Sequence, residues 1–523
     1  MALLRSIVTI GGLTMVSRVL GFIRDMLIAA VLGAGPVADA FFVAFRLPNL
    51  FRALFAEGAF SAAFVPLFAR SVEAEGEGRA AAFAEQALSV LLSALLVFLV
   101  VFEIAMPLLI YVIAPGFGDS PAQVDLAIQF ARINFPYLLF ISLVSLMAGI
   151  LNSLGRFAAA AATPILLNVA MIAAALMLVP WTPTPGHALA WGVAAAGVLQ
   201  FLWLFYFCGR AGLWLRLPRP RLTPEVRLLV RRALPVALGA GIYQVNLTIN
   251  TALASWLPAG SVSYLFYADR VNQLPLGIVG IAVGTALLPL LSRQLRAGHG
   301  PAAMHSQNRA LEFTLLLTVP AAVALIVLAT PIMSVLFERG AFGPAEAEAT
   351  ATALAAYAFG LPAYVLIKAL APGFFAREDT RTPVKVAAAS AAINVGLNLV
   401  LMWPFSFVGI AASTAIASWI NALALAAILW QRGHLRVDER LRRRLPRVLG
   451  ASAIMGGVCA ALHLLVLGPW LAGHQAHRVV ALAILVGVGL ATFALSAQLF
   501  GAAGVQDLRG LLKGRGIEGS DTA

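Results

Sequence analysis

Fourteen apolar runs follow one another along this chain, most of them 20 residues or longer. They fall at about 7–33, 36–69, 82–113, 123–153, 158–180, 187–208, 228–257, 261–292, 309–337, 346–376, 383–403, 407–430, 447–468 and 478–500. A helix needs about 20 apolar residues to cross the hydrocarbon of a bilayer, and only helices and closed barrels span one. Barrel strands alternate in polarity over about 10 residues, and these runs do not. The expected fold class is an all-α integral membrane protein with fourteen transmembrane helices. Composition agrees: 11% of residues are charged, against about 25% in a soluble protein. Runs much longer than 20 residues must tilt, kink or project. The second contains Pro48 and Gly58 and is expected to break or bend. The first continues past any plausible cleavage site into charged, glycine-punctuated sequence, which argues against a removable signal peptide.

The basic residues sort by position. Those between runs cluster on alternate connections, most densely at Arg210–Arg232 and Arg432–Arg447, and the other set of connections holds only Arg339 and Arg478. Basic residues stay on the cytoplasmic side of a membrane, so both termini are expected there. The net charge of +13 then reads as an orientation signal that touches anionic headgroups, and no nucleic-acid partner is expected. The two arginine-rich connections also mark lobe boundaries. FRLPNLFRALFAEGAFSAAFVPLFAR, ending at Arg70, resembles DRVNQLPLGIVGIAVGTALLPLLSR, ending at Arg293, with Pro66 matching Pro289. The copies are about 223 residues, or six runs, apart. An even spacing makes a parallel repeat with its axis along the membrane normal. The expected organisation is two pseudo-symmetric six-helix lobes, 1–215 and 216–435, followed by two further helices and a cytoplasmic tail in 436–523.

Charges remain inside the runs. The segment Ser17–Arg70 carries Arg18, Arg24, Asp25, Asp39, Arg46, Arg52 and Glu57; later runs add Arg132, Arg270 and Lys368. Each such charge costs roughly 2.5–3.5 kcal/mol at the middle of a membrane helix. Arg24 lies 19 residues along from Arg5, Arg52 lies 18 from Arg70, and Arg270 lies 23 from Arg293. At about 1.5 Å per residue, three guanidiniums from both lobes reach similar heights. Guanidinium forks match phosphate oxygens bidentately, so a wet cavity that grips a diphosphate is one reading. A second is internal ion pairing or snorkelling, because Arg18 and Asp25, like Asp39 and Arg46, are seven apart and share a helix face. A gate that opens and closes with conformation lies between the two, and suits Asp25, Asp39 and Glu57. Hinges are expected near Gly21, Pro48 and Gly58.

Catalytic signals are missing. No glycine loop ending in Lys-Ser/Thr is present, so no ATP site is expected. No Ser/His/Asp arrangement or HExxH occurs, and no polar loop is large enough for the acidic metal ligands of a transferase. Cys208 and Cys459 sit in apolar runs and read as small buried hydrophobes. The seven histidines show no ligand spacing. Transport would then draw on membrane potential, an ion gradient or consumption of product.

SRVLGFIRD, ADAFFVAFRLPNLFRALFAEGAFSAAFVP, YADRVNQLPLGIVGIAVGTALLP and LFERGAFG together resemble the MurJ/MviN lipid II flippases, a family of the multidrug/oligosaccharidyl-lipid/polysaccharide exporter superfamily. The resemblance covers nearly the whole chain. It implies fourteen helices, two six-helix lobes, alternating access and a groove for a polyprenyl tail on the last two helices. It implies a non-enzymatic transporter of the bacterial inner membrane. The cargo it implies is undecaprenyl-pyrophosphoryl-MurNAc-pentapeptide-GlcNAc, moved from the cytoplasmic to the periplasmic leaflet. By motif match, Arg18, Arg24, Arg52 and Arg270 become the substrate-binding arginines, with Asp25, Asp39 and Glu57 as acidic gating partners. Some members bind sodium through an aspartate in the seventh helix; this chain has Asn250 there, and Asn394 and Asn398 in the eleventh are neutral too. No metal or cofactor is expected. A monomer is expected, with membrane lipids and cell-wall synthesis or division proteins as partners. Another exporter of the superfamily and a polyprenyl-phosphate transferase are the competing readings.

Overall fold

Long apolar runs give long helices; some prolines divide them, and others, such as Pro164 and Pro320, lie inside helices that run on. The structure, a computed structural model, describes residues 2–55, 59–471 and 473–502. Among these residues all regular structure is helical, apart from one isolated bridge between Arg339 and Phe342. The chain divides into two units: residues up to Ser263 with Arg339–Phe342, and Tyr264–Glu338 with the residues from Gly343 on.

The first unit holds α1 (Ala2–Leu32), α2 (Pro36–Phe55), α3 (Ala59–Glu75), α4 (Glu77–Ile104), α5 (Met106–Ile113), α6 (Pro121–Asn134), α7 (Tyr137–Ser153), α8 (Phe157–Met177), α9 (Pro185–Arg210) and α10 (Pro224–Ala254). α1 packs along α8, α2 along α6, and α10 against α2 and α3. The core centres on Phe64, which stacks on Phe68 and Phe83 at 5.5 Å each. Met147, Ile150 and Leu204 close around it. Cys208 is buried there as an unpaired thiol, as expected. Two expected runs divide in this unit. The run at 82–113 breaks at Ala105, just before Pro107 in the first turn of α5. The run at 123–153 breaks at Phe135–Pro136. Proline lacks the N–H that would continue the ladder and clashes with the preceding turn. Pro48, where a break or bend is expected, is buried within α2, which runs through it. α1 likewise runs unbroken past Gly21. Gly58 lies outside the described residues.

The second unit holds α11 (Ser261–Arg296, from Tyr264 on), α12 (Gly300–Val327), α13 (Ala329–Phe337), α14 (Pro344–Phe359), α15 (Leu361–Phe375), α16 (Arg381–Gln431), α17 (Glu439–Leu462), α18 (Gly468–Leu471) and α19 (Gln475–Leu499). Its core joins Val283, Leu287 and Leu291 of α11 to Val365 and Phe374 of α15 and Leu425 of α16. α17 and α19 pack on each other, and α17 also on α12. Their contact is set by Met455, Cys459 and Leu485. α16 is 51 residues long and contains Ser406 at φ 51°, two residues after Pro404. That kink separates the two apolar runs expected at 383–403 and 407–430.

Nine segments among the described residues are long and apolar enough to cross a membrane. Their outward faces carry large apolar side chains: Ile104 is 75% exposed and Leu499 85%. In water such faces would aggregate; against lipid tails they are solvated. The protein is a multi-pass, all-α membrane protein.

Candidate substrate-binding site

Arg24 sits two-thirds along α1, where the apolar neighbours on its helix offer it nothing. Its side chain is 12% exposed. Asp25, its neighbour in sequence, takes Nε at 3.0 Å and Nη2 at 2.7 Å on a single carboxylate oxygen. The third partner comes from α8: Asn168 Oδ1 accepts from Nη1 at 2.9 Å. Asn168 is itself buried and donates to the Ser17 carbonyl at 2.8 Å. The amide packs against Gly21: a Cβ there would be in ordinary contact, 3.5 Å from Asn168 Nδ2. A buried charge needs partners of this kind, and hydrogen bonds to an ionised group are the strong ones. Among the described residues, three of the five guanidinium donors are engaged. Two remain for an oxyanion.

The acidic residues part company here. Asp25 and Arg18 share a face by spacing, yet Asp25 is taken by Arg24, and Arg18 is exposed. Asp39, in the first turn of α2, is buried and accepts from Gly260 N at 2.6 Å, Ser263 N at 2.8 Å and Ser263 Oγ at 2.6 Å. It caps the start of the helix that begins at Ser261, where the backbone N–H groups have no partner inside the helix. Glu57 lies outside the described residues. Arg52 stands half-buried at the end of α2, with Nε on Asn49 Oδ1 at 3.3 Å. Beside it Phe51 inserts edge-on among Phe98, Phe102 and Phe135 at 5.0, 5.1 and 5.8 Å. That box of rings fixes the rotation of α2 and hence where Arg52 stands.

In the second unit, Arg270 of α11 lies 3.9 Å from Asp269 and 4.8 Å above the ring of Phe266. Its Nε is buried and makes no hydrogen bond among the described residues. Asp269 is also held by Gln273 at 2.5 Å. Lys368 of α15 lies against Gly280, where an added Cβ would meet its Nζ at 3.0 Å.

The structure joins Arg24 to Asp25 and adds two residues that the sequence does not flag. Asn168 is 144 positions from Arg24, and Ser263 is 224 from Asp39. A lone asparagine in the apolar run at 158–180 is the one available sign, since a buried amide in such a run needs a partner.

A family model described as lipid II flippase MurJ matches residues 28–481. A probable lipid II flippase MurJ of Rhizobium meliloti is 50% identical over 90% of this chain and 88% of its own. One from Vibrio cholerae is 36% identical over 94% and 95%. A solved lipid II flippase MurJ in an inward closed conformation matches with TM-score 0.78 at 25% identity, over 96% of this chain and 99% of its own. An inward-facing multidrug exporter of the MATE family matches with TM-score 0.68 at 14% identity, over 82% and 97%, which shows shared fold alone. With a family model matching residues 28–481 and a relative 50% identical over 90% of the chain, the chain belongs to the MurJ lipid II flippase family.

Proposed function

We propose that this chain carries lipid II, an undecaprenyl-diphosphate-linked peptidoglycan precursor, from the cytoplasmic to the periplasmic leaflet of the bacterial inner membrane by alternating access, with both of its termini cytoplasmic. The observation that carries the reading is Arg24: a guanidinium inside an apolar bundle, fixed on three donors and open on two. Fixing the fork lowers the ordering cost of binding, and a diphosphate supplies the paired oxygens that the fork fits. Arg18, Arg52 and Arg270 serve as the further cationic contacts. Asp25 limits the charge at Arg24, so the grip is firm yet releasable, as transport requires. Asp39 acts as a gating residue through its hold on the helix start at Gly260–Ser263. The sugar–peptide headgroup travels through the cavity while the polyprenyl tail stays in lipid.

No covalent step is involved, and the substrate leaves as it entered. With Asn250 in place of an acid, drive comes from membrane potential or an ion gradient rather than from a sodium ion held there. The test is a leaflet-accessibility assay in cells depleted of this protein. Lipid II is expected to accumulate on the cytoplasmic side and to become accessible outside again when the gene is restored. Unchanged accessibility on depletion would end the proposal.

A further inference from the structure

Two helix breaks in the first unit lie side by side. α4 gives way to α5 at Ala105, and α6 to α7 at Phe135–Pro136. Aromatic rings join them. Phe102 stacks on Phe135 at 5.8 Å, and Phe98, 4.0 Å from Phe102, stacks on Phe135 at 6.1 Å. Phe51 of α2 stands edge-on to all three, next in sequence to Arg52.

A carboxyl group sits at this junction. Glu103 follows Phe102, two residues before the break, in a helix long and apolar enough to cross a membrane. Val100, Val101 and Ile104 are more than half exposed and face lipid, whereas Glu103 is half-buried. Its Oε1 is sealed from solvent and makes no hydrogen bond among the described residues. The cation whose charge reaches it is Arg132, in the last turn of α6. The other helices packed on α4 bring little charge to this level. α7 has no charged side chain, and α5 has only the Tyr111 phenol. α3 is charged only from Arg70 on, and α10 only within its first turns, where Glu225 feels Arg79. Those groups stand at the Glu77 end of α4, about 40 Å along the helix from Glu103. From α2, Arg52 stands behind the rings; Glu57 lies outside the described residues. A carboxyl inside a membrane helix persists only with a partner or with a proton. Glu103 has a cation within reach and an oxygen that bonds to nothing.

We propose that Glu103 is a proton-binding site that couples transport to inward proton movement. This rests on the lipid II transport function above and names the ion that drives it. In the conformation described, the carboxyl carries the proton. When the paired breaks bend, Arg132 closes on Glu103, the O–H bond breaks, and the proton passes to water on the cytoplasmic side. A carboxylate–guanidinium pair remains. Reopening parts that pair, and the carboxylate takes a proton from water on the periplasmic side. No electrons move and no other reactant enters. One positive charge crosses inward per cycle, the direction that an inside-negative potential favours. The rings carry the change to the substrate: bending at Ala105 or Phe135 shifts the box around Phe51, and Arg52 moves with it.

The test uses the purified full-length protein in liposomes that contain lipid II in the membrane and a pH-sensitive dye inside, under an imposed inside-negative potential. Proton entry is read from the dye, and lipid II movement from its accessibility to a membrane-impermeant reagent. The wild type is expected to admit protons only when lipid II is present. E103Q has the same shape and is permanently neutral; its proton entry is expected to fall to that of protein-free liposomes, and sustained lipid II movement to stop. E103D keeps a titrating carboxyl and is expected to retain both at a lower rate. R132Q removes the partner and is expected to slow both. A merely structural Glu103 would leave E103Q like the wild type. If E103Q melts lower than the wild type, R132Q and the proton entry of the wild type decide. Lipid II movement in the wild type without proton entry, or wild-type proton entry in E103Q or R132Q, would overturn the proton site and leave the flippase reading standing. No lipid II movement in the wild type would overturn that reading, and the proton site with it.

Discussion

Asn168 Oδ1 accepts a hydrogen bond from Arg24 Nη1 at 2.9 Å, so α8 sets the orientation of a guanidinium on α1. Asn168→Ala removes that contact and leaves Arg24 with Asp25 alone. A hydrogen bond to a charged group contributes about 1.5–3 kcal/mol. Asn168→Asp keeps the acceptor toward Arg24 but adds a second carboxylate and, like Ala, loses the donor to the Ser17 carbonyl. If Asn168 serves only the fold, Asp should rescue growth of a depletion strain better than Ala. If it positions a fork that must stay cationic toward substrate, Asp should rescue worse than Ala at equal protein level in the membrane. The second outcome is expected.

Asp39 offers three acceptor contacts to the backbone and hydroxyl at Gly260–Ser263. Asp39→Ala leaves two N–H groups at a buried helix start without an acceptor. Losing an N-cap costs about 0.5–2 kcal/mol. Asp39→Asn retains one oxygen and should cost less than alanine. Thermal unfolding in detergent, read for wild type and both variants, gives the order.

Much of this architecture is legible from periodicity and length. The apolar runs mark the helices, and Pro107, Pro136 and Pro404 mark breaks. Pro48 misleads, because α2 carries it inside without a break. Half of the site is legible too: Arg24 and Asp25 are adjacent in sequence and adjacent in space. The i,i+7 spacing of Arg18 and Asp25 points to a shared face, yet the shorter reach from Arg24 takes the carboxylate. Asn168 and Ser263 stay hidden because their partners are set by which helices pack together. That is decided by the shapes of apolar surfaces over the whole unit, and no local pattern encodes it.

Gly340 has φ +60°, and a Cβ there would run into the Ala30 carbonyl, which Ala341 N already bonds at 2.7 Å. Gly340→Ala therefore meets both a disfavoured backbone and a steric block. Backbone strain of this kind costs about 1–3 kcal/mol. Lower thermal stability and reduced accumulation in membranes are expected. Gly298, also at positive φ but with open space where its Cβ would fall, is the control and should lose less on the same change.

Asp379, in the connection before α16, receives hydrogen bonds from Thr382 Oγ1 and Arg432 Nη1, both at 2.6 Å. These, the Thr382 bond first, hold its carboxyl well below the usual carboxylate range. A depressed folded-state pKa stabilises above the unfolded value of about 3.9 and is lost only as pH falls below it. The contact should be insensitive to pH between about 5 and 8. Asp379→Asn should flatten any stability difference between pH 7 and pH 3 that this residue contributes, measured by thermal unfolding at both.

Arg24, Arg52 and Arg270 separate charge from geometry when each is changed to Gln and to Lys. Glutamine removes the cation, and all three glutamine variants are expected to reach the membrane without restoring growth to depleted cells. Lysine keeps the charge but presents three donors from one nitrogen in place of a planar fork. At Arg24, Asp25 and Asn168 present two acceptor atoms, so a lysine that satisfies both keeps one N–H for substrate where the guanidinium keeps two, and should rescue far less well than arginine. At Arg270 the cation lies over the Phe266 ring, a contact that an ammonium also makes. Lysine there should retain most function, and Phe266→Leu should lower it by a few fold. Full rescue by the three glutamine variants would show that the substrate is not gripped by these guanidiniums. Equal failure of lysine at Arg24 and Arg270 would show that the fork matters at both.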